Sequence, residues 1–348
     1  MEMRIDFHTH ILPLDLPDLT GEFGQGRWPV LERKCSCGAD IMVSGKLFRK
    51  VTDQVWDPKK RIQDMDAEGV DMQVLSPVPV TFSYWAPIDQ ALYLSQFQND
   101  FIAETVNRHP DRFIGLGTVP LQDMKAAIDE MERCKFELGL AGIEIGTNIN
   151  GENLDSPVLL EFFQMAEKWN VPLFIHPWET MAKDRTERHN LMYTIAMPSE
   201  TALAAASIAW SGVMEKFPDL KLCFAHGGGS FPYILPRIDQ GWEVWPELRK
   251  TSMPPSHYAQ KFYFDSLNYD PRNIQYLIDR FGYKKVLMGS DYPFLLREKP
   301  PGQVIDDTLN LSDEVKANLL GGNALRFLNL DSRGEKHGKT DKSARTST

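Results

Sequence analysis

The chain has 348 residues, with 38 Lys and Arg against 48 Asp and Glu, for a formal net charge of −10. That balance, with no long basic block, argues against a phosphate-tracking surface and a nucleic-acid partner, while 42% hydrophobic and 25% charged residues describe a folded globular protein. No run approaches the roughly 18 uncharged apolar residues of a membrane span, and Asp6, His8 and His10 stand where a signal peptide needs its apolar stretch, so a soluble cytoplasmic protein is expected.

Length alone leaves one or two domains open, because single α/β barrels routinely exceed the usual domain size of about 150 residues. Eight short β-branched or apolar runs ending near Gly, Pro, Asn or His recur at residues 3–7, 71–76, 113–118, 142–146, 172–175, 221–225, 261–265 and 285–289. Longer amphipathic stretches fill most gaps, at 58–68, 89–108, 123–137, 156–169, 199–216, 271–281 and 312–327. Asp123, Ser156, Ser199 and Ser312 stand at expected N-caps. Eight strands alternating with helices predict an α/β fold, a (β/α)8 TIM-like barrel, carried by one domain over residues 1–330. An open doubly wound sheet is the runner-up, although no G-x-G-x-x-G opens the first βα turn. The stretch from about 11 to 56 is too long for a simple connection and reads as an insertion over the barrel mouth. Residues 331–348 contain no apolar residue except one Ala and read as a disordered polar tail.

Four of the eight histidines fall at the C-terminal ends of predicted strands. His8 and His10, two residues apart in extended backbone, project to one side. His176 closes the fifth run, His226 the sixth and Asp291 the eighth. A lone His is more often a hydrogen-bonded, partly buried side chain, but a barrel brings these ends to one face. Neutral imidazoles with one carboxylate are a set suited to a borderline divalent ion, zinc first, whose bound water ionises near pH ~7. Glu144, inside the fourth run, is either close to that metal or a rim side chain with a partner, and no Lys on the strand supports a two-metal centre. Arg49 in the insertion and Arg237 after Gly227-Gly-Gly229 are candidate carboxylate clamps, while most arginines are surface groups. Aromatic residues Phe82, Tyr84, Trp85, Trp178 and Phe294 fall in loops over the same face. Four cysteines are too few for a disulfide framework, and Cys35-Ser-Cys37 lacks the second ligand pair of a structural zinc site.

Taken in order, His8-x-His10, His176-Pro-Trp178, His226-Gly-Gly-Gly229 and Gly289-Ser-Asp291-Tyr-Pro-Phe294 resemble the amidohydrolase superfamily. The likeness is to its metal-dependent decarboxylase branch and runs from about residue 4 to 330, including Phe48-Arg49, Trp56-Asp57-Pro58 and Met197-Pro198. It implies a zinc-dependent carboxy-lyase, assembled as a homodimer, that removes CO2 from a dicarboxylate semialdehyde of tryptophan catabolism. Carried over by position, His8, His10, His176 and Asp291 would bind zinc. His226 would be the catalytic base, and Asp291 would also carry a proton between stages. Arg49 would hold a substrate carboxylate and Arg237 would do so from the neighbouring subunit, with Trp178, Tyr193 and Phe294 touching the substrate. Two departures bear on which substrate fits: Tyr193 stands where a Trp is expected, within an altered segment 185–196, and Glu144 where Gln is usual. Other readings are a decarboxylase of a related carboxylated aromatic, a hydrolase using the same metal, and a non-catalytic binding protein, because fold and metal do not fix the reaction.

Overall fold

The structure is a computed structural model that describes residues 2–24 and 26–330; the expected tail from 331 to 348 lies outside the described residues. Thirteen strands follow one another: β1 (Ile5–Ile11), β2 (Pro29–Cys35), β3 (Gly38–Val43), β4 (Lys46–Thr52), β5 (Met72–Pro77), β6 (Phe113–Gly117) and β7 (Gly142–Gly146) come first. Then come β8 (Asn148–Ile149), β9 (Glu152–Asn153), β10 (Leu173–His176), β11 (Leu222–Phe224), β12 (Tyr263–Asp265) and β13 (Val286–Leu287). Eight of them, β1, β5, β6, β7 and β10 to β13, pair in that order, each parallel to the next. The last returns to the first through Phe7 N to Met288 O, Asp291 N to His8 O and His10 N to Tyr292 O, each 2.8 Å. The sheet is therefore the expected barrel and not the open runner-up. Nearly every barrel-strand residue is buried, because helices cover the outside and side chains fill the inside.

The helices start and stop where their termini can be satisfied. In Pro58–Glu68, Asp57 accepts from Lys59 N, Pro58 occupies the first turn, and Gly69 closes the helix at φ 72°. Pro271–Phe281 repeats the pattern with Asp270 accepting from Arg272 N. Two expectations are corrected, and one helix adds to them. The stretch 312–327 is two short helices, Asp313–Ala317 and Asn323–Phe327, separated by the π-helical segment Asn318–Gly322. Ser199 is no cap, because the helix already begins at Met197 and the Ser199 hydroxyl donates to Ile195 O. A helix at Phe231–Val244, unexpected from a sequence with Pro232 and Pro236, follows the glycine triplet.

The chain between β1 and β5 carries the antiparallel sheet β2–β3–β4. Its apolar side packs Ala39, Ile41 and Val51 with Val78, Val80, Phe294 and Trp178 from loops at the C-terminal ends of the barrel strands. At the other end, Phe327 plugs the interior beneath Phe7, ring centroids 5.4 Å apart, and Phe7 meets Phe174 at 5.0 Å. The barrel is filled from below, so chemistry is confined to its mouth. Among the described residues no helix is long and apolar enough to cross a membrane.

After β11 the backbone holds φ at 55°, 60°, 75° and 60° through His226, Gly227, Gly228 and Gly229. A Cβ on Gly228 would sit 2.7 Å from the Phe264 ring, and one on Gly229 would overlap the Pro198 carbonyl. Gly229→Ala is expected to cost about 3 kcal/mol or more through clash and left-handed strain together. Gly45→Ala, also at positive φ but facing open space, should cost only about 1 kcal/mol. Thermal melts of the two variants check the difference.

Candidate metal centre

The pleat of β1 points His8 and His10 the same way, β10 ends on His176, and the chain leaving β13 turns at Asp291 with φ 64°. One ligand atom from each of these four residues lies within 4.8 Å of all the others. His8 Nε2 is 3.1 Å from His10 Nε2, and Asp291 Oδ1 is 3.3 Å from His10 Nε2 and 3.6 Å from His8 Nε2. The backbone bond from Asp291 N to His8 O ties the carboxylate's turn to the strand of the imidazoles.

Outer nitrogens decide which way the rings face. His8 Nδ1 donates to Asp265 Oδ2 at 2.7 Å, His10 Nδ1 to Pro77 O at 2.9 Å and His176 Nδ1 to Pro177 O at 3.1 Å. With the protons held there, the Nε2 lone pairs converge, and lone pairs 3.1 Å apart repel unless a cation or proton lies between them. His176 Nε2 is buried without a hydrogen-bond partner. These residues fit a divalent ion: three imidazoles, one carboxylate, and outer hydrogen bonds that fix the tautomers. A metal-binding His/Asp site is therefore built into the barrel mouth.

At His10, His176 and Asp291 the electrostatics agree with that donor set, while His8 has to give up a proton to join it. Burial lowers the pKa of His10 and takes His176 well below the ordinary histidine value, which keeps both neutral and able to ligate. Burial acts the same way on His8, but the Asp265 hydrogen bond and charge outweigh it and raise the pKa. Burial pushes Asp291 up, yet the His10 hydrogen bond and the surrounding imidazoles bring it down to about 2, so it is ionised. Burial, with the neighbouring His8, pushes His226 down to about 4. His226 is thus neutral at pH 7, and its Nδ1 has no hydrogen-bond partner. Its ring lies 5.3 Å from that of His8 and 5.2 Å from that of His176.

The remaining candidates divide. Phe294 has Arg49 Cζ 4.0 Å from its centroid and the His10 ring, tilted by 34°, at 5.4 Å. Tyr193 lies 4.9 Å from the same guanidinium, and the ring of Trp178 meets Phe48 at 6.2 Å. Arg49 makes no ion pair with any described residue. Arg237 is not gathered in: it is exposed on the helix Phe231–Val244, without an ion pair among the described residues. Glu144 lies 3.7 Å from His10 Nδ1, outside the converging set. Both its oxygens are buried without a hydrogen-bond partner, and burial raises its pKa well above the ordinary value.

Asp265 was not singled out from the sequence. Besides His8, it accepts from His226 N and Gly227 N at 2.8 Å each and from Leu267 N at 3.1 Å. The signal was available, since Asp265 closes the run 261–265 as His176 and His226 close theirs. Arg61, fully buried and part of the resemblance but given no site role from the sequence, donates to His10 O at 2.7 Å and Thr9 Oγ1 at 2.9 Å, bracing β1 from behind.

A closed parallel barrel with one His/Asp metal site at its C-terminal mouth defines the class, and residues 5–330 match the family model described as amidohydrolase. The chain belongs to the amidohydrolase family. Within it the chain is 48% identical, over 331 residues covering 94% of this chain and 92% of the relative, to the 2-amino-3-carboxymuconate-6-semialdehyde decarboxylase of Dictyostelium discoideum. It is 32% identical over 380 residues, 94% of each chain, to the decarboxylase of the same name from Caenorhabditis elegans. Two solved structures share the fold. The 5-carboxyvanillate decarboxylase of Sphingomonas paucimobilis has a TM-score of 0.80 and 24% identity, covering 94% of this chain and 99% of that one. The manganese-bound dihydroxybenzoic acid decarboxylase of Polaromonas sp. JS666 has a TM-score of 0.76 and 22% identity, covering 95% and 98%. The chain is an enzyme of the decarboxylase branch.

All four acceptor contacts of Asp265 come from N–H donors, so an amide there sets one N–H against another. Asp265→Asn is expected to weaken metal affinity by about 10- to 100-fold while the fold survives. Competition against a chelator, beside a circular dichroism spectrum, reads both.

Proposed function

We propose that the chain removes CO2 from 2-amino-3-carboxymuconate 6-semialdehyde, without oxygen, to leave 2-aminomuconate 6-semialdehyde, at one zinc ion held by His8, His10, His176 and Asp291. The observation that carries this reading is the 48% identity to the Dictyostelium decarboxylase over 94% of the chain. Zinc suits three neutral imidazoles and one carboxylate; manganese is the alternative that metal analysis distinguishes. When bound, the ion supplies a Lewis acid that can acidify a water at neutral pH.

Every other task falls to side chains of the protein. The carbon bearing the departing carboxylate first takes up a proton; the bond to CO2 then breaks, and its electron pair restores the conjugated amino-aldehyde. His226, neutral and with an unengaged Nδ1, takes a proton in one stage and returns it in the next. Asp291 is a second carrier for that proton. Arg49 binds one substrate carboxylate, and Arg237 of the partner subunit binds the other. Phe294, Tyr193 and Trp178 form apolar walls along the planar chain. A homodimer is supported by Tyr233, Val244, Trp245 and Leu248, all exposed on or just after the helix of Arg237. Free Cys35, Cys37, Cys134 and Cys223 suit the cytoplasm. A related carboxylated aromatic is the second reading, favoured by Glu144 and Tyr193 standing where Gln and Trp are usual.

Metal-loaded protein mixed with freshly generated semialdehyde is expected to release CO2 and to clear the near-ultraviolet absorbance well ahead of spontaneous cyclisation. Fading at the blank's rate sinks the assignment. His226→Ala is expected to keep its metal and lose at least about 100-fold in kcat, read as turnover beside metal content. Arg49→Met is expected to raise KM by about 10-fold or more with a smaller change in kcat, read from steady-state curves.

A further inference from the structure

Cys35 and Cys37 take no part in that reaction. They flank Ser36 in the turn joining β2 to β3, where Cys35 is paired with Gly38. Both are exposed, and their Sγ atoms lie 2.9 Å apart. A disulfide of ~2.05 Å requires the sulfurs to approach by only about 0.9 Å. The hydrogen bond shared by the two thiols and the backbone N–H groups of Cys37 and Gly38 hold the Cys35 thiol below its ordinary pKa. The same shared proton pushes the Cys37 thiol up. One sulfur is thereby prepared to attack and the other to follow. The remaining cysteines, Cys134 and Cys223, are fully buried, and burial pushes their thiols well up.

We propose that Cys35 and Cys37 form an exposed dithiol that is reversibly oxidised to an intrachain disulfide by a low-molecular-weight disulfide of the glutathione kind. The Cys35 thiolate attacks one sulfur of the oxidant, a mixed disulfide forms, and one thiolate leaves. Cys37, giving up its proton, then attacks Cys35 Sγ; the intrachain bond forms, the mixed disulfide breaks, and the second thiol departs. The protein pair loses two electrons and two protons, and the oxidant takes up both. The reaction is independent of the decarboxylase reading.

The full chain is incubated with glutathione disulfide, alkylated under denaturing conditions and digested with trypsin. Cleavage after Lys34 and Lys46 leaves both sulfurs on one peptide, residues 35–46. That peptide is expected to be unalkylated and lighter than its reduced form by two hydrogen atoms, and to revert with dithiothreitol. Cys134 and Cys223 should remain open to alkylation. Cys37→Ser is expected to stop at a glutathione adduct on Cys35. A wild-type peptide that carries two alkylated thiols, or that ends as a stable glutathione adduct, overturns the proposal.

Discussion

The barrel mouth depends on three hydrogen bonds, from the outer nitrogens of His8, His10 and His176 to Asp265, Pro77 O and Pro177 O. Two of the acceptors are main-chain carbonyls at the ends of β5 and β10, so ring orientation is set by the barrel backbone itself. The third is a buried carboxylate that also gathers the N–H groups of His226, Gly227 and Leu267. One side chain therefore fixes a metal-facing ring and the turn carrying the neighbouring histidine. The left-handed conformation at His226 and Asp291 is strain of the kind that surrounding structure must hold in place. Asp265 does so for His226, and the bond to His8 O does so for Asp291.

A charged framework lies beneath the centre. Arg61, fully buried, spans His10 O, Thr9 Oγ1, Gln73 Oε1 and Gln54 O, and its guanidinium lies 4.7 Å from the Tyr292 centroid. Burial lowers its pKa to about 10, which leaves it a cation at neutral pH. Asp6 accepts from both Ser290 N and Ser290 Oγ, and so joins the start of β1 to the approach to Asp291. Burying such groups is costly unless they are satisfied, and here each ties β1 to the segments that complete the ring.

What could be read from the sequence follows from how local each determinant is. The run 142–146 is found unchanged as β7 because glycines bound a short, wholly buried segment. Residues 58–68 and 271–281 are helices as expected because Asp-Pro starts them and Gly ends them. The helix Phe231–Val244 was hidden by its prolines: Pro232 falls in the first turn, where no N–H is needed, and Pro236 is tolerated further in. The metal-facing residues were legible because strand ends share one rim. Asp6 with Ser290 and Arg61 with His10 were not, since these contacts exist only once distant segments close the ring. The insertion's sheet was equally obscure, because the mixed burial of β4 in Lys46–Thr52 shows no clean alternation.

The ring of Phe294 has two neighbours: Arg49 Cζ lies 4.0 Å from its centroid and the His10 ring 5.4 Å from it. Arg49 Cζ can be no farther from the His10 ring than those two spans laid end to end. The aromatic ring thus acts as a gauge block. On the proposed function, a ligand whose anionic end meets Arg49 while its reacting carbon meets the imidazoles has to fit within that limit, whereas a longer chain leaves one end unanchored. On that reading, ligand length is selected by where one aromatic ring holds its two neighbours, before any contact particular to the ligand's functional groups is made.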